Sequence, residues 1–309
     1  MNNNIVVIGS SNTDMIIKMD HIPKPGETIL GGEFSTAPGG KGANQAVAAA
    51  RAGGKVTFIA RVGNDMFGER ALSGFRQDNI NIDHVIKDNS APSGVALIFV
   101  DRKGENSIAV ASGANAKVSP EDVRNARDSI TKAGIILMQL EIPVETVETA
   151  AQVASASGVV VILNPAPAQP LSDELLRNVT ILTPNESEAE LLTGIKVEDE
   201  QGAKDAAETL IAKGIKTVII TLGARGVYLK SDEFTGIIPA FKVDNIVDTT
   251  AAGDVFNGVL AVSLAESKPL AEAIRFAHAA AALSVTKLGA QTSAPHRADI
   301  DSFLRISNN

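Results

Sequence analysis

Short runs rich in Val and Ile alternate with amphipathic stretches over most of this chain, and that alternation sets the fold class. Ile5–Ile8, Val56–Val62, Ile135–Leu140, Val159–Leu163, Thr180–Leu182 and Val218–Leu222 are compact and almost wholly apolar. Such runs read as strands buried on both faces, the pattern of a parallel sheet covered by helices. The stretches between them carry helix punctuation. Ser119-Pro120-Glu121-Asp122 offers an N-cap serine, a proline at the first helical position and acids in the first turn. Gly158 and Gly214 stand where helices should end. The sum predicts a three-layer α/β fold, a predominantly parallel central sheet with helices on both sides.

Two regions break the alternation. Segments near 14–36 and 93–112 hold consecutive strand-like runs, such as Gly94–Asp101 and Ser107–Ser112, with no helix between them. Asp101-Arg102-Lys103-Gly104 separates the latter pair as a hairpin turn. These segments predict a small antiparallel sheet set apart from the main one. No repeat, low-complexity tract or linker divides the 309 residues, so one domain, 1–309, with an appendage is expected.

Composition removes several function classes. The chain has no cysteine, which excludes disulfides, thiol catalysis and cysteine-ligated zinc. Its four histidines, His21, His84, His278 and His296, show no metal-ligand spacing, although a carboxylate-bound magnesium remains open. A formal charge of −8 and 4% aromatic residues, with no tryptophan, argue against nucleic acid as a partner. The start, Met1-Asn2-Asn3-Asn4, lacks the basic region of a signal peptide. The apolar stretch around Ala277–Val285 is too short to span a bilayer. A soluble cytoplasmic protein is the expectation.

Five motifs fall at the ends of predicted strands or the starts of predicted helices. Asp248-Thr249-Thr250-Ala251-Ala252-Gly253-Asp254 precedes a helical pattern running to Ala265. Small residues at 251–253 let main chain approach a ligand, and their N–H groups lie at a helix N-terminus suited to a phosphoryl group. Asp254 would project from the first turn toward the same spot, where a carboxylate can take a proton from an attacking hydroxyl. A carboxylate there also simply favours the helix dipole. Pro38-Gly39-Gly40-Lys41-Gly42-Ala43-Asn44 opens a second helix but departs from a Walker A loop, because Gly42 rather than Ser or Thr follows Lys41. Glycine N–H groups, the Lys41 ammonium and the Asn44 amide could surround a polyol, or the glycines could serve packing alone. Asn12 and Asp14 follow the first strand and Glu141 follows the third; sugar contacts and ordinary loop roles both fit them. Asn185 and Glu188, three apart at a helix start, fit either a magnesium-ordering pair or a capping box. Thr221-Leu222-Gly223-Ala224-Arg225-Gly226 closes a strand as a nucleotide loop or a hairpin. No G-x-G-x-x-G is present, which makes a nicotinamide-dependent oxidoreductase remote.

Taken together, Gly39–Asn44 near the start and Asp248–Asp254 near the end resemble the ribokinase family of carbohydrate kinases. Gly113-Ala114-Asn115, Met138-Gln139-Leu140-Glu141, Asn164-Pro165-Ala166-Pro167 and Phe276-Ala277-His278-Ala279 extend the resemblance along nearly the whole chain. It implies ATP-dependent phosphorylation of a small sugar, with D-ribose at O5 foremost and a deoxyribose, ketose or nucleoside kinase as the nearest alternative. A catalytically silent sugar-binding regulator is the alternative from another class. By this resemblance Asp254 is the general base, and Ala251, Ala252 and Gly253 form the anion hole. Asn12, Asp14, Gly40, Lys41, Gly42, Asn44 and Glu141 hold the sugar. Asn185, Thr221, Gly223, Ala224, Arg225, Gly226 and His278 contact ATP, and Glu188 helps order Mg2+. A K+ activator is implied at Asp248, Thr250, Ser284, Lys287, Gly289 and Ser293, mostly through main-chain carbonyls. The small sheet is implied to be a lid over the sugar that joins two subunits into a homodimer. Val259, where the family has a smaller residue after Gly258, and Lys287, where some members have arginine, depart from the pattern; the first is expected to alter packing and the second to be tolerated.

Overall fold

The computed structural model describes residues 3–307, so Met1 and Asn2 of the polar N-terminus lie outside the described residues. Nine strands form the large sheet: β1 (Asn4–Ile8), β4 (Lys55–Gly63), β5 (Asn81–Asp88), β8 (Ile135–Met138), β9 (Val160–Leu163), β10 (Ile181–Leu182), β11 (Thr217–Thr221), β12 (Val227–Lys230) and β13 (Thr235–Ile238). Their order is β13-β12-β11-β10-β9-β8-β1-β4-β5. Every pairing from β11 to β5 is parallel, whereas β12 and β13 close that edge as antiparallel strands. β5 and β13 escaped the sequence reading because their burial is partial, and β12 because it is a run of only four residues ending in Lys230.

Twelve helices accompany the described strands: α1 (Lys41–Arg51), α2 (Met66–Gln77), α3 (Pro120–Asn125), α4 (Arg127–Thr131), α5 (Val144–Ser155), α6 (Asp173–Asn178), α7 (Glu186–Thr193), α8 (Glu200–Ala212), α9 (Ala252–Ala265), α10 (Leu270–Ser284), α11 (Ala290–Ser293) and α12 (Arg297–Ser307). Alternate residues of the parallel strands feed two cores. Ile5, Val7, Phe58, Leu137 and Ile219 pack with α1, α9 and α10. Val6, Ile8, Ile136, Met138 and Ile220 pack with α3, α5 and α8 on the other face. Because both faces are covered, each strand reads as an unbroken apolar run. Ser119 caps α3 in a capping box with Asp122, and Gly158 and Gly214 take positive φ just beyond α5 and α8, as their positions predicted. Among the described residues no helix is long and apolar enough to cross a membrane.

The remaining strands, β2 (Asn12–Lys18), β3 (Glu33–Gly39), β6 (Gly94–Val100) and β7 (Asn106–Ala111), form a separate four-stranded sheet in the order β3-β2-β6-β7. Its outer pairings are antiparallel hairpins, and Asp101–Gly104 is the turn of the second, closed by Gly104 N–H to the Asp101 carbonyl at 3.0 Å. The central pairing, β2 with β6, is parallel. The two hairpins are separated in the chain by α1, β4, α2 and β5, and that long crossover permits strands of the same direction to meet.

Chain order reverses in the large sheet between β8 and β1: from β1 the path runs outward to β4 and β5, and from β8 it runs the other way. Open α/β sheets bind ligands outside the carboxyl ends of their strands at such a switch point. Four motif segments leave the strands there, at Gly9–Asn12, Gln139–Glu141, Asn164 and Thr183.

Candidate active site

The centre of the site is the start of α9. Ala251, its N-cap, has a left-handed backbone (φ 59°, ψ 12°) and no side-chain cap, so the first N–H groups of this 14-residue helix receive no side-chain acceptor there. A non-glycine residue held in that region is strained, and such strain persists at sites where function requires it. A Cβ placed on Gly253 would meet no protein atom within 4 Å. The missing side chain therefore leaves open space rather than accommodating a neighbour. Ala251, Ala252 and Gly253 line a cleft of about 220 Å3 together with Lys41, Asn185, Glu188, Thr221 and Asp254.

Asp254 sits in the first turn of α9 with only 5% of its surface exposed. Its Oδ2 accepts from Asn44 Nδ2 and its Oδ1 from Gln45 Nε2, both at 2.9 Å. Burial pushes its carboxyl above the ordinary value, while the Lys41 ammonium and the two amide donors pull the other way. Burial disfavours the Lys41 charge, but the carboxylates of Asp254, Glu141 and Glu188 outweigh it and hold the ammonium above its usual range. Sequence-distant charges thus meet in one place.

Among the residues expected to hold a sugar, Asn44 gives its amide N–H to Asp254, and its Oδ1 is buried with no protein partner. A buried acceptor left open in this way is costly unless a ligand hydroxyl fills it. Asp14, on β2, is pushed up to about 6 by burial and by the nearby carboxylates of Glu141 and Asp254. Glu141 Oε2 accepts from Ser10 Oγ and, at 3.0 Å, from Lys41 N–H. Asn12 Oδ1 accepts from Asn115 Nδ2 at 2.7 Å.

Glycine does two jobs in the 39–42 segment. Gly40 has φ 88°, and a Cβ there would stand 2.7 Å from Asn12 N. Gly42 N–H is taken by Ser10 Oγ at 3.3 Å, and a Cβ at Gly42 would stand 2.5 Å from Ser10 N. Gly42 therefore lets α1 pack closely against the β1–β2 loop.

The nucleotide motifs gather around a second hollow lined by Thr221, Gly223, Gly226, Ala252, Gly253, Phe256 and His278. It shares Thr221, Ala252 and Gly253 with the first, so the two join at the start of α9. Burial drives His278 down to about 4, leaving a neutral ring 5.3 Å from that of Phe256. Residues 223–225 form a single 3-10 turn that also connects the antiparallel strands β11 and β12, so the hairpin reading and the loop reading describe one structure. Within it Arg225 bonds Glu186 at 2.9 Å and the Glu198 carbonyl at 3.2 Å, and neither Ala224 nor Arg225 lines the hollow. The Arg225 guanidinium is thus engaged by α7 and the loop before α8, while the main chain of Ala224 and Arg225 forms the turn after β11. Asn185 and Glu188 do form a capping box on α7, and the same two side chains line the cleft. Burial raises the Glu188 carboxyl, partly offset by the Asn185 N–H.

Of the six residues expected around a cation, Asp248 ties three together. Its Oδ1 accepts from Thr250 N–H at 2.9 Å and its Oδ2 from Gly289 N–H at 2.8 Å. The Val285 carbonyl accepts from Val247 and Asp248 N–H, which sets Ser284 and Lys287 beside the same loop. Ser293 lies at the end of α11, and its hydroxyl, like that of Ser284, bonds its own helix. With the Asp248 oxygens engaged, a cation here would be met by main-chain carbonyls, a hard-oxygen donor set that fits K+. Among the described residues no cluster of three His, Asp or Glu side chains could cage a metal.

Three buried amides near Asp254 were not picked out from the sequence as site residues. Gln45, Gln139 and Asn164 are at most 8% exposed and hydrogen-bond to one another beneath the carboxylate. Their signal is a polar residue where an apolar one is due: Gln45 in an alanine-rich helix, Gln139 and Asn164 at the ends of buried strands.

The chain matches the model of the pfkB family of carbohydrate kinases over residues 2–297. It is 50% identical over 304 residues to a ribokinase of Haemophilus influenzae, covering 98% of this chain and 99% of that one. A deoxyribokinase of Salmonella typhi is 38% identical over 304 residues, covering 98% of this chain and 99% of the other. The structure of Arabidopsis thaliana ribokinase complexed with ribose and ATP superposes with a TM-score of 0.92 at 35% identity, covering 99% of each chain. A family model spanning nearly the whole chain, relatives matched end to end, and a shared architecture agree: the chain belongs to the pfkB family of carbohydrate kinases.

Proposed function

We propose that this protein transfers the γ-phosphoryl group of ATP to O5 of D-ribose, giving D-ribose 5-phosphate and ADP. One observation carries the reading: a buried carboxylate, Asp254, lies in the first turn of α9 and lines one cleft with Lys41, Glu188 and the main chain of Ala251–Gly253. The 50% identity to a ribokinase, against 38% to a deoxyribokinase, favours ribose over its 2-deoxy analogue.

In this reading Asn12, Asp14, Gly40, Lys41, Asn44 and Glu141 orient the sugar. Asp254 takes the O5 proton as O5 attacks the γ-phosphorus and the bond to the β-phosphate oxygen breaks. The N–H groups at Ala251–Gly253 meet the negative charge that builds up on the transferring group. Thr221, Gly223, Gly226 and His278 contact the nucleotide. Mg2+, when bound with ATP near Asn185 and Glu188, neutralises phosphate charge. K+ in the loop at Asp248, Thr250, Ser284, Lys287, Gly289 and Ser293 holds the backbone of the anion hole in place. The small sheet, residues 12–18, 33–39, 94–100 and 106–111, acts as a lid and as the surface joining two copies. Exposed Phe34, Leu97, Ile108 and Val110 on that sheet support this, as such apolar residues favour a covered surface. The whole 1–309 chain acts as one unit in the cytoplasm.

An ADP-release assay over a panel of pentoses, ketoses and nucleosides, with and without K+, tests the proposal. D-ribose is expected to give the highest kcat/KM. A higher value for 2-deoxyribose, a ketose or a nucleoside would reassign the substrate, and no turnover on any of them would remove the activity.

A further inference from the structure

The amides beneath Asp254 form a ladder whose direction is set by the main chain. Asn164 Nδ2 donates to the Thr183 carbonyl at 3.0 Å, and a carbonyl only accepts, so Asn164 must present its Oδ1 to Gln45. Gln45 answers with its N–H2 group, one proton to Asn164 Oδ1 at 3.1 Å and one to Asp254 Oδ1 at 2.9 Å. Its own Oε1 accepts from Gln139 Nε2 at 2.6 Å. Every hydrogen-bonding direction at Gln45 is therefore used, and flipping its amide would break all of these contacts. Gln139 reaches this position because Gly9 has no side chain: a Cβ there would stand 2.2 Å from Gln139 Oε1. Gln45 and Gln139 are fully buried.

A carboxylate that must capture a proton at one defined moment gains from a fixed plane, because reacting groups misplaced by a fraction of an ångström lose rate steeply. Asn44 holds the other oxygen, but its own Oδ1 has no protein partner, so its amide is not fixed from behind. Gln45, by contrast, has its amide held by Asn164 and Gln139 while it donates to Asp254. We propose that Gln45 is a positioning residue for the reaction, fixing the plane of the Asp254 carboxylate, with Gln139 and Asn164 locking the direction of its amide. This rests on Asp254 being the proton acceptor.

The charged groups that act on Asp254 are Lys41 of α1, Glu141 after β8, Glu188 of α7 and Asp14 of β2. None of them changes when Gln45 is replaced, so a shift in the pH profile reports the lost donor. Gln45→Met keeps the length and burial of the side chain but cannot donate. Removing a hydrogen bond to a carboxylate costs roughly tenfold or more. With D-ribose and ATP saturating, kcat at neutral pH is expected to fall about tenfold and the acid limb to move up by about one pH unit. The KM for ribose should change by less than about twofold, because Asn44, Asp14 and Glu141 are untouched. Gln139→Met leaves Gln45 in place with an unanchored amide, and is expected to move the limb in the same direction by less; it decides the matter if Gln45→Met does not fold. Lower kcat with the acid limb at its wild-type position in both variants would overturn the proposal. Turnover by the wild type that survives Asp254→Asn would instead remove the reading beneath it, and the proposal with it.

Discussion

Gly258 of α9 packs against the main chain of Gln45 in α1, so closely that a Cβ at Gly258 would stand 2.5 Å from the Gln45 carbonyl oxygen. This crossing brings Asn44 and Gln45 within hydrogen-bond reach of Asp254, one turn earlier on α9. Gly258→Ala must push the helices apart or distort one of them. We expect it to cost about 1–3 kcal/mol, as overpacking does, and to lower kcat through misplacement of the base. A urea melt together with steady-state kinetics checks this; unchanged stability and unchanged kcat would show that the contact yields freely. Val259, fully buried at the next position, belongs to the core between α1, α9 and α10.

Asp14 gives the site a pH dependence of its own. Its carboxyl lies at about 6 because burial and the carboxylates of Glu141 and Asp254 disfavour its charge. A raised acid binds its proton more tightly in the folded state, so the free protein loses stability as pH rises from about 4 toward 6. Sugar hydroxyls donate best to the ionised form. The KM for ribose is therefore expected to climb as pH falls below about 6, with the KM for ATP little affected. In Asp14→Asn that climb should vanish, the KM should be high throughout, and the stability slope should flatten. A ribose KM that is level with pH in the wild type would contradict this role for Asp14.

How much of this was legible in the sequence depended on whether a residue's role is local. The parallel strands were visible because burial on both faces leaves no polar interruptions, as in Ile5–Ile8. Helix ends were visible because Ser119, Asn185 and Gly214 satisfy backbone groups within a few residues of themselves. The parallel pairing of β2 with β6 was not, because nothing local to either strand records which neighbour it meets. Asp254 and Lys41 were legible as motif residues. Their mutual influence, across more than 200 positions of chain, was not. Gln45 was hidden for the same reason: its partners Gln139, Asn164 and Asp254 come from three other elements. Gly42 and Gly253 look alike in sequence, yet one is demanded by a neighbouring backbone and the other leaves space for a ligand.

The cation loop is tested through Asp248. Burial would raise its carboxyl, but hydrogen bonds from Thr250 and from the Gly289 N–H outweigh that and hold it below the ordinary value. It is thus ionised at neutral pH and braces the loop that leads into Ala251–Gly253. K+ is expected to activate severalfold over an equal ionic strength of a bulky organic cation, in kcat more than in KM. Asp248→Ala should blunt that response. Equal rates in the two salts, with ATP and Mg2+ saturating, would remove the cation from the account.

The account turns on Asp254 as the group that takes the proton, and Asp254→Asn isolates it. The amide is the same size and stays beside Asn44 and Gln45, but it cannot accept the proton of the attacking hydroxyl. Single-turnover phosphorylation of D-ribose, measured alongside ribose affinity by titration calorimetry, separates chemistry from binding. The rate is expected to fall by at least about a hundredfold, the usual scale for loss of a general base, while ribose still binds. A variant that phosphorylates ribose at close to the wild-type rate would contradict the central claim.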